Sequence, residues 1–180
     1  MNPKGFTFLP ASPSDFERIL ALNLSFEHYL SPLSAARLAL LHSQACAHLK
    51  VAIEAETQGF IMLHKAGSTY DSVNYQWFAR HFAASHTPFW YIDRVVIAQA
   101  AQGMGVAQAL YTHVFEQAAA DGAEYICCEY DLDPPNPRSE RFHASIGFVE
   151  LAQQTIPSTS GTKRVSMQQR MLTEAIKNNG

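Results

Sequence analysis

The sequence predicts a mixed α/β fold with about seven strands, and three observations lead there. A β-branched and aromatic run from Phe89 to Ile97 passes through Gly103 and Gly105 into a wide helical stripe. Leu49, Val51 and Ile53 alternate with Lys50 and Glu54 around Ala52 and are answered by Phe60 to Leu63, the pattern of a hairpin. Helix start signals at Ser12-Pro13-Ser14-Asp15 and Ser31-Pro32 precede those strands.

In chain order, Gly5 to Leu9 alternates like a short first strand. Ser12 to Asp15 then combine an N-cap, a proline at the first helical position and a capping-box carboxylate, with Phe16, Ile19, Leu20 and Leu24 as the apolar stripe. Ser31-Pro32 opens a second helix running to about Ala47. The hairpin is expected to turn through polar residues ending at Gly59. Ser68 to Pro88 is long for a plain connection and mixes Tyr70, Tyr75, Trp77, Phe78 and Phe82 with polar residues, which suggests a functional loop containing one short helix.

Phe89 to Ile97 is apolar on both faces except at Asp93 and Arg94, as expected of a central strand covered on both sides. After the glycine turn, Val106, Leu110, Val114 and Ala118 form the helical stripe, ending at Gly122. Glu124 to Tyr130 reads as a buried strand. Asn136 caps a short helix beginning at Pro137, Gly147 suits its left-handed end, and strands to about Thr155 and from Lys163 to Leu172 follow.

At 180 residues and 47% hydrophobic, the chain suits one domain, residues 1–172, with a mobile tail at 173–180. The formal charge of -3 and the lack of a Lys/Arg block argue against a nucleic-acid partner. No apolar run is long enough to span a bilayer, so no membrane partner is expected. Cys46, Cys127 and Cys128 match neither a disulfide framework nor a metal spacing, and the histidines, His28, His42 and His113 among them, show no ligand pattern. A reducing, cytoplasmic location and no metal are the expectation.

The chemistry concentrates in two segments. Gln102, Gly103, Met104, Gly105, Val106 and Ala107 lie where a strand opens onto a helix, and amide groups at that helix start suit a phosphate. A dinucleotide fold would instead want a third glycine at the position of Gln108. About thirty residues on, Asn136-Pro137 leads to Phe142-His143-Ala144-Ser145-Ile146-Gly147-Phe148. Asp93 and Glu129 are carboxylates in otherwise apolar strands; each is either a general base or the partner of a nearby cation. Tyr70, Asp71 and Asn74 are candidates to line an acceptor pocket, with surface packing of a short helix as the alternative.

Together, the two segments resemble the GNAT family of acyl-CoA-dependent N-acetyltransferases, over roughly residues 48 to 150. The resemblance places Asp93, four before Ile97, at the family's polar strand position, and Gly103 and Gly105 in the R/Q-x-x-G-x-G/A loop, where Ala100 replaces the Arg/Gln. It places His143 where the family carries a tyrosine often assigned as the acid that protonates the leaving thiolate. Tyr70-Asp71-Ser72, Cys128-Glu129-Tyr130 and Pro134-Pro135-Asn136-Pro137 resemble a branch of predicted acetyltransferases.

The resemblance implies a mostly antiparallel sheet flanked by helices on both faces. It implies acetyl-CoA as cosubstrate, with the pyrophosphate held at residues 102–107. Pantetheine would pair along Val95, Val96 and Ile97, with Asn136 and Ser139 as further contacts. The implied reaction is acetyl transfer to a primary amine of a small molecule or peptide by direct attack, with a homodimer as the family analogy. Asp93, Glu129 and His143 are the acid–base candidates. A non-catalytic acyl-CoA-binding module is the alternative that Ala100 and His143 leave open.

Overall fold

The computed structural model describes residues 5–158 and 161–172; the tail expected to be mobile, from Thr173, lies outside the described residues. A seven-stranded sheet runs in the order β1-β2-β3-β4-β5-β7-β6. The strands are β1 (Phe6–Pro10), β2 (Ala47–Ile53), β3 (Glu56–Lys65), β4 (Phe89–Ile97), β5 (Tyr125–Asp133), β6 (Val149–Ser158) and β7 (Gly161–Met171). β4 and β5 are parallel, whereas β1–β2, β2–β3, β5–β7 and β6–β7 are antiparallel. Backbone proximity groups the chain into two compact units, Met1–Tyr70 with Ile92–His113 and Asp71–Tyr91 with Val114–Gly180.

In the first unit the capping box forms: the Ser12 backbone N–H donates to Asp15 Oδ2 at 2.9 Å, and Lys50 Nζ lies 2.6 Å from Oδ1. Helix α1 (Phe16–Leu24) follows and buries Ile19 and Leu22. Helix α2 (Ala35–Gln44) starts later than the Ser31-Pro32 signal suggests, because Ser34 is the cap, its Oγ accepting from the Arg37 N–H at 3.1 Å.

The β2–β3 corner also differs from expectation. It is a two-residue turn at Glu54 and Ala55, with φ of 50° and 70°, and Ile53 pairs with Glu56. β3 therefore runs straight through Gly59. A Cβ there would sit 2.6 Å from the Val96 carbonyl oxygen, so glycine is what lets β3 approach β4. His42 Nδ1 and His48 Nδ1 are 2.8 Å apart, and burial, followed by the charge of His42, lowers the His48 pKa to about 4.

In the second unit, helix α3 (Val73–His81) is the short helix expected between residues 68 and 88. Ser72 caps it, accepting from the Tyr75 N–H at 3.4 Å, which turns Asn74, Tyr75 and Phe78 inward. Phe78 packs with Phe89 and Tyr91 at centroid distances of 6.5 and 5.8 Å, and burying such a ring contributes about 1.5–3 kcal/mol. Parallel pairing of β4 with β5 covers Phe89–Tyr91 against Tyr125–Cys127. β5 continues past Tyr130 to Asp133 because Asp131 and Asp133 pair with Val165 and Arg164 of β7. Helix α4 is Val106–Ala120, its residues to His113 belonging to the first unit and the rest to the second, and α5 (Pro137–Ser145) belongs to the second. Among the described residues no helix is long and apolar enough to cross a membrane.

Candidate active site

The glycine loop is set by backbone and side chain together. After Ile97 the Ala98 N–H donates to the Gln58 carbonyl at 2.8 Å, a single 3-10 turn spans Gln99–Ala101, and Gln102 Nε2 returns to the Ile97 carbonyl at 2.9 Å. Gly103 and Gly105 take φ of 79° and 74°, left-handed values that residues with a side chain adopt at a cost. The Ala109 N–H donates to the Gly105 carbonyl at 3.1 Å, so Gly105 stands at the mouth of α4.

An α-helix leaves its first four N–H groups without intrahelical acceptors. Here these are the amides of Gly105 to Gln108, at the positive end of a 15-residue helix. Val106 and Leu110 anchor that helix in the core, and Met104 is exposed. Ala100 lines a groove of about 260 Å³ with Ala101, Met104, Gln58, Glu54 and Glu56.

Asp93 is held from both sides. Tyr70 donates its hydroxyl to Oδ1, and Arg94 Nε donates to Oδ2 at 2.7 Å. Arg94 is buried and extends the network: its Nη1 donates to Asn23 Oδ1 at 2.9 Å, and Asn23 Nδ2 donates to the Ser31 carbonyl at 3.3 Å. Tyr70 stacks on His64 at 4.1 Å and carries the Arg37 guanidinium over its ring at 5.7 Å.

Glu129 occupies a different surrounding. Its Oε1 accepts from Asn74 Nδ2 at 2.7 Å and its Oε2 from the Tyr91 hydroxyl at 2.8 Å, while Asn74 Oδ1 accepts from Gln154 Nε2 at 2.6 Å. Asn74 and Tyr91 are buried, whereas Glu129 and Gln154 are half-buried. The candidate acceptor residues thus part company: Tyr70 joins Asp93, Asn74 joins Glu129, and Asp71 is exposed.

On α5, Asn136 caps the helix by accepting from the Ser139 N–H at 3.1 Å. One turn on, His143 Nδ1 lies 2.8 Å from the Ser139 carbonyl oxygen, which assigns the proton to Nδ1 and the lone pair to Nε2. Burial lowers the His143 pKa, partly countered by that carbonyl, so the ring is neutral at pH 7. It stacks on Tyr130 at 5.9 Å and meets the Phe148 ring edge-on at 5.1 Å. Burial pushes the thiols of Cys127 and Cys128 well up, which keeps them protonated.

Arg94, Tyr91 and Gln154 are the participants that sequence reading leaves out. Arg94 stands beside Asp93 in the sequence and is the cation that an ion-pair reading requires. Tyr91 carries no signal beyond its place in an apolar strand, and Gln154 meets Asn74 from 80 residues away. Among the described residues, no group of three or more His, Cys, Asp or Glu side chains is placed to hold a metal ion.

The profile of the Acetyltransferase (GNAT) family matches residues 15–148. No curated protein gives a significant match. Among solved structures, the ribosomal-protein-S18-alanine N-acetyltransferase from Escherichia coli is similar at 13% identity and a TM-score of 0.69, covering 96% of this chain and 97% of its own. NAA60 from Arabidopsis thaliana, solved with a bisubstrate analogue, gives 11% identity, a TM-score of 0.75, and 94% and 99% coverage. The yncA protein from Salmonella typhimurium, solved with its cofactor acetyl-CoA, gives 17% identity, a TM-score of 0.69, and 94% and 95% coverage.

Proposed function

The chain belongs to the acetyltransferase (GNAT) family, and from that premise we propose that it moves an acetyl group from acetyl-CoA to a primary amine of a small molecule or peptide by direct attack in a ternary complex. One observation carries the reading: the paired left-handed glycines at 103 and 105 open β4 onto the amide-rich start of α4. The backbone N–H groups of residues 102–107, where the glycine loop runs into that helix start, hold the pyrophosphate, and Val95, Val96 and Ile97 supply backbone groups to the pantetheine. Asn136 and Ser139 are carried over as cofactor contacts from the matching motif. A neighbour solved with acetyl-CoA supports the choice of cosubstrate, and a neighbour that acts on a ribosomal-protein alanine supports a peptide amine among the acceptors. The family match runs through segments of both units, which supports residues 1–172 working as one catalytic domain.

The carboxylates take separate roles. Arg94 Nε pairs with Asp93 Oδ2 at 2.7 Å and the Tyr70 hydroxyl takes the other oxygen, so this carboxylate is engaged on both sides. Asp93 therefore fixes Tyr70 and Arg94. Glu129 accepts from neutral donors and is assigned to the amine: it attracts the ammonium and removes a proton, the neutral nitrogen then attacks the thioester carbonyl, and as the C–S bond breaks the coenzyme A thiolate takes up the proton that the new amide nitrogen sheds. The neutral His143 is suited to accepting a proton rather than to protonating the departing thiolate. The buried, protonated Cys127 and Cys128 argue against a covalent enzyme intermediate.

Mixing the enzyme with acetyl-CoA and a panel of polyamines, amino-sugars and alanine-terminated peptides, and following thiol release, tests this reading. Sustained turnover with at least one amine is expected. Binding of coenzyme A with no turnover across the panel overturns the assigned reaction, and no binding at millimolar coenzyme A overturns the assigned cofactor site.

A further inference from the structure

The hydrogen bonds around Glu129 have only one consistent direction. An ionised carboxylate accepts and never donates, so Asn74 must turn its amide nitrogen toward Oε1, at 2.7 Å. That leaves Asn74 Oδ1 facing the other way, and it is met by a donor, Gln154 Nε2, at 2.6 Å. Tyr91 closes the second oxygen with its hydroxyl at 2.8 Å. Four elements contribute one side chain each: α3, β4, β5 and β6.

Nothing about the local fold requires this. Gln154 is paired through its backbone with Val165 on β7, so its side chain is not needed to hold β6 in place. Asn74 lies in the first turn of α3, where Ser72 already supplies the cap. The two amides have opposite ends that differ only in hydrogen-bonding sense, and reversing either one would point an oxygen at another oxygen.

We propose that Gln154 and Tyr91 are positioning residues that lock the Glu129 carboxylate, Gln154 acting through Asn74, in the single orientation that receives a cationic primary amine. This rests on the assignment of Glu129 to the acceptor. Gln154 keeps Asn74 from turning over, and Tyr91 keeps the carboxylate from rotating about its terminal bond. Tyr91 favours the charged form of Glu129 by donating to Oε2, and Gln154 does so only through Asn74, whose Nδ2 it keeps turned toward Oε1. On this account, loss of either one weakens amine binding and shifts the proton equilibrium of the carboxylate without touching the acetyl-CoA site.

The test uses the full chain carrying 13C at the glutamate carboxyl carbons, with the Glu129 resonance assigned from Glu129→Gln, alongside kinetics with the best amine of the panel above. In Gln154→Leu and Tyr91→Phe the Glu129 carboxyl is expected to titrate at higher pH than in the parent. The amine KM should rise at least about five-fold while the acetyl-CoA KM is unchanged. If Glu129→Gln cripples turnover but the Gln154 and Tyr91 variants move neither the resonance nor the amine KM, the positioning role is wrong and the assignment of Glu129 survives. If the carboxyl titration moves as expected but Glu129→Gln leaves amine kinetics unaltered, the relay is real and Glu129 is not the acceptor's carboxylate, which overturns the proposal.

Discussion

Arg94 Nε donates to Asp93 Oδ2 at 2.7 Å although the two residues are consecutive in β4, and both side chains are buried, at 6% and 5% exposure. Consecutive strand residues ordinarily face opposite sides of a sheet. The guanidinium therefore folds back along the strand, and it is held there by Asn23 Oδ1 at 2.9 Å.

Breaking this pair from one side should cost more than removing it. Arg94→Met leaves a buried carboxylate without its cation, for which about 3 kcal/mol of lost stability is expected. The double variant Asp93→Leu with Arg94→Met should lose less than the single one. Urea unfolding midpoints decide it; equal losses would mean that the pair is not the interaction being measured.

Gly103→Ala should weaken coenzyme A binding more than it weakens the fold. Nothing lies within 4 Å of a Cβ at Gly103, so the penalty is only the left-handed φ of 79°, on the order of 1–2 kcal/mol. The loop can relieve that strain only by reorienting the amides that lead into α4. Calorimetry with coenzyme A is expected to show weaker binding, with a small change in melting temperature. Gly59→Ala is the contrasting case: its Cβ would meet the Val96 carbonyl oxygen at 2.6 Å and Ile97 Cδ1 at 2.9 Å, so stability itself should fall.

Mild acid should unfold the protein, in part through His48. Burial holds its folded pKa at about 4 against 6.5 for an ordinary histidine. The unfolded chain therefore takes up that proton first, and stability present above about pH 6.5 is lost as the pH falls toward 4, reaching up to about 3 kcal/mol. Burial shifts His64 and His143 in the same direction and adds to the slope. Melting temperatures between pH 7 and 4.5 should decline in the parent and decline less in His48→Gln.

Thiol-directed reagents should leave turnover intact. Cys127 and Cys128 are buried and their thiols are pushed well above the ordinary range, while Cys46 is half-buried. Iodoacetamide at pH 7.5 is expected to label Cys46 first, with activity retained; rapid inactivation that tracks labelling of Cys127 would contradict direct attack.

How much of this was legible in the sequence depends on the range of the interactions. β4 matches its expected bounds, because a continuous apolar run flanked by turns has few other solutions, and Asn136-Pro137 marks the start of α5 in the same local way. Ser31-Pro32 misleads for a physical reason: the Ser31 carbonyl is taken by Asn23, and the helix waits for Ser34. Gly59 looks like a turn residue until β4 is placed beside it. The carboxylates were visible as isolated charges in apolar strands, but their roles depend on what faces them, and no periodicity links Asn74 to Gln154 or Arg94 to Asn23.

The corner between β2 and β3 has a practical consequence. Glu54 and Ala55 both adopt left-handed backbone angles that favour asparagine and glycine, so the natural residues leave thermal headroom unused. Glu54→Asn with Ala55→Gly offers a sturdier parent in which deleterious active-site variants can be purified and compared. Because Glu54 also borders the groove beside Met104, the exchange removes one negative charge from the approach to the glycine loop.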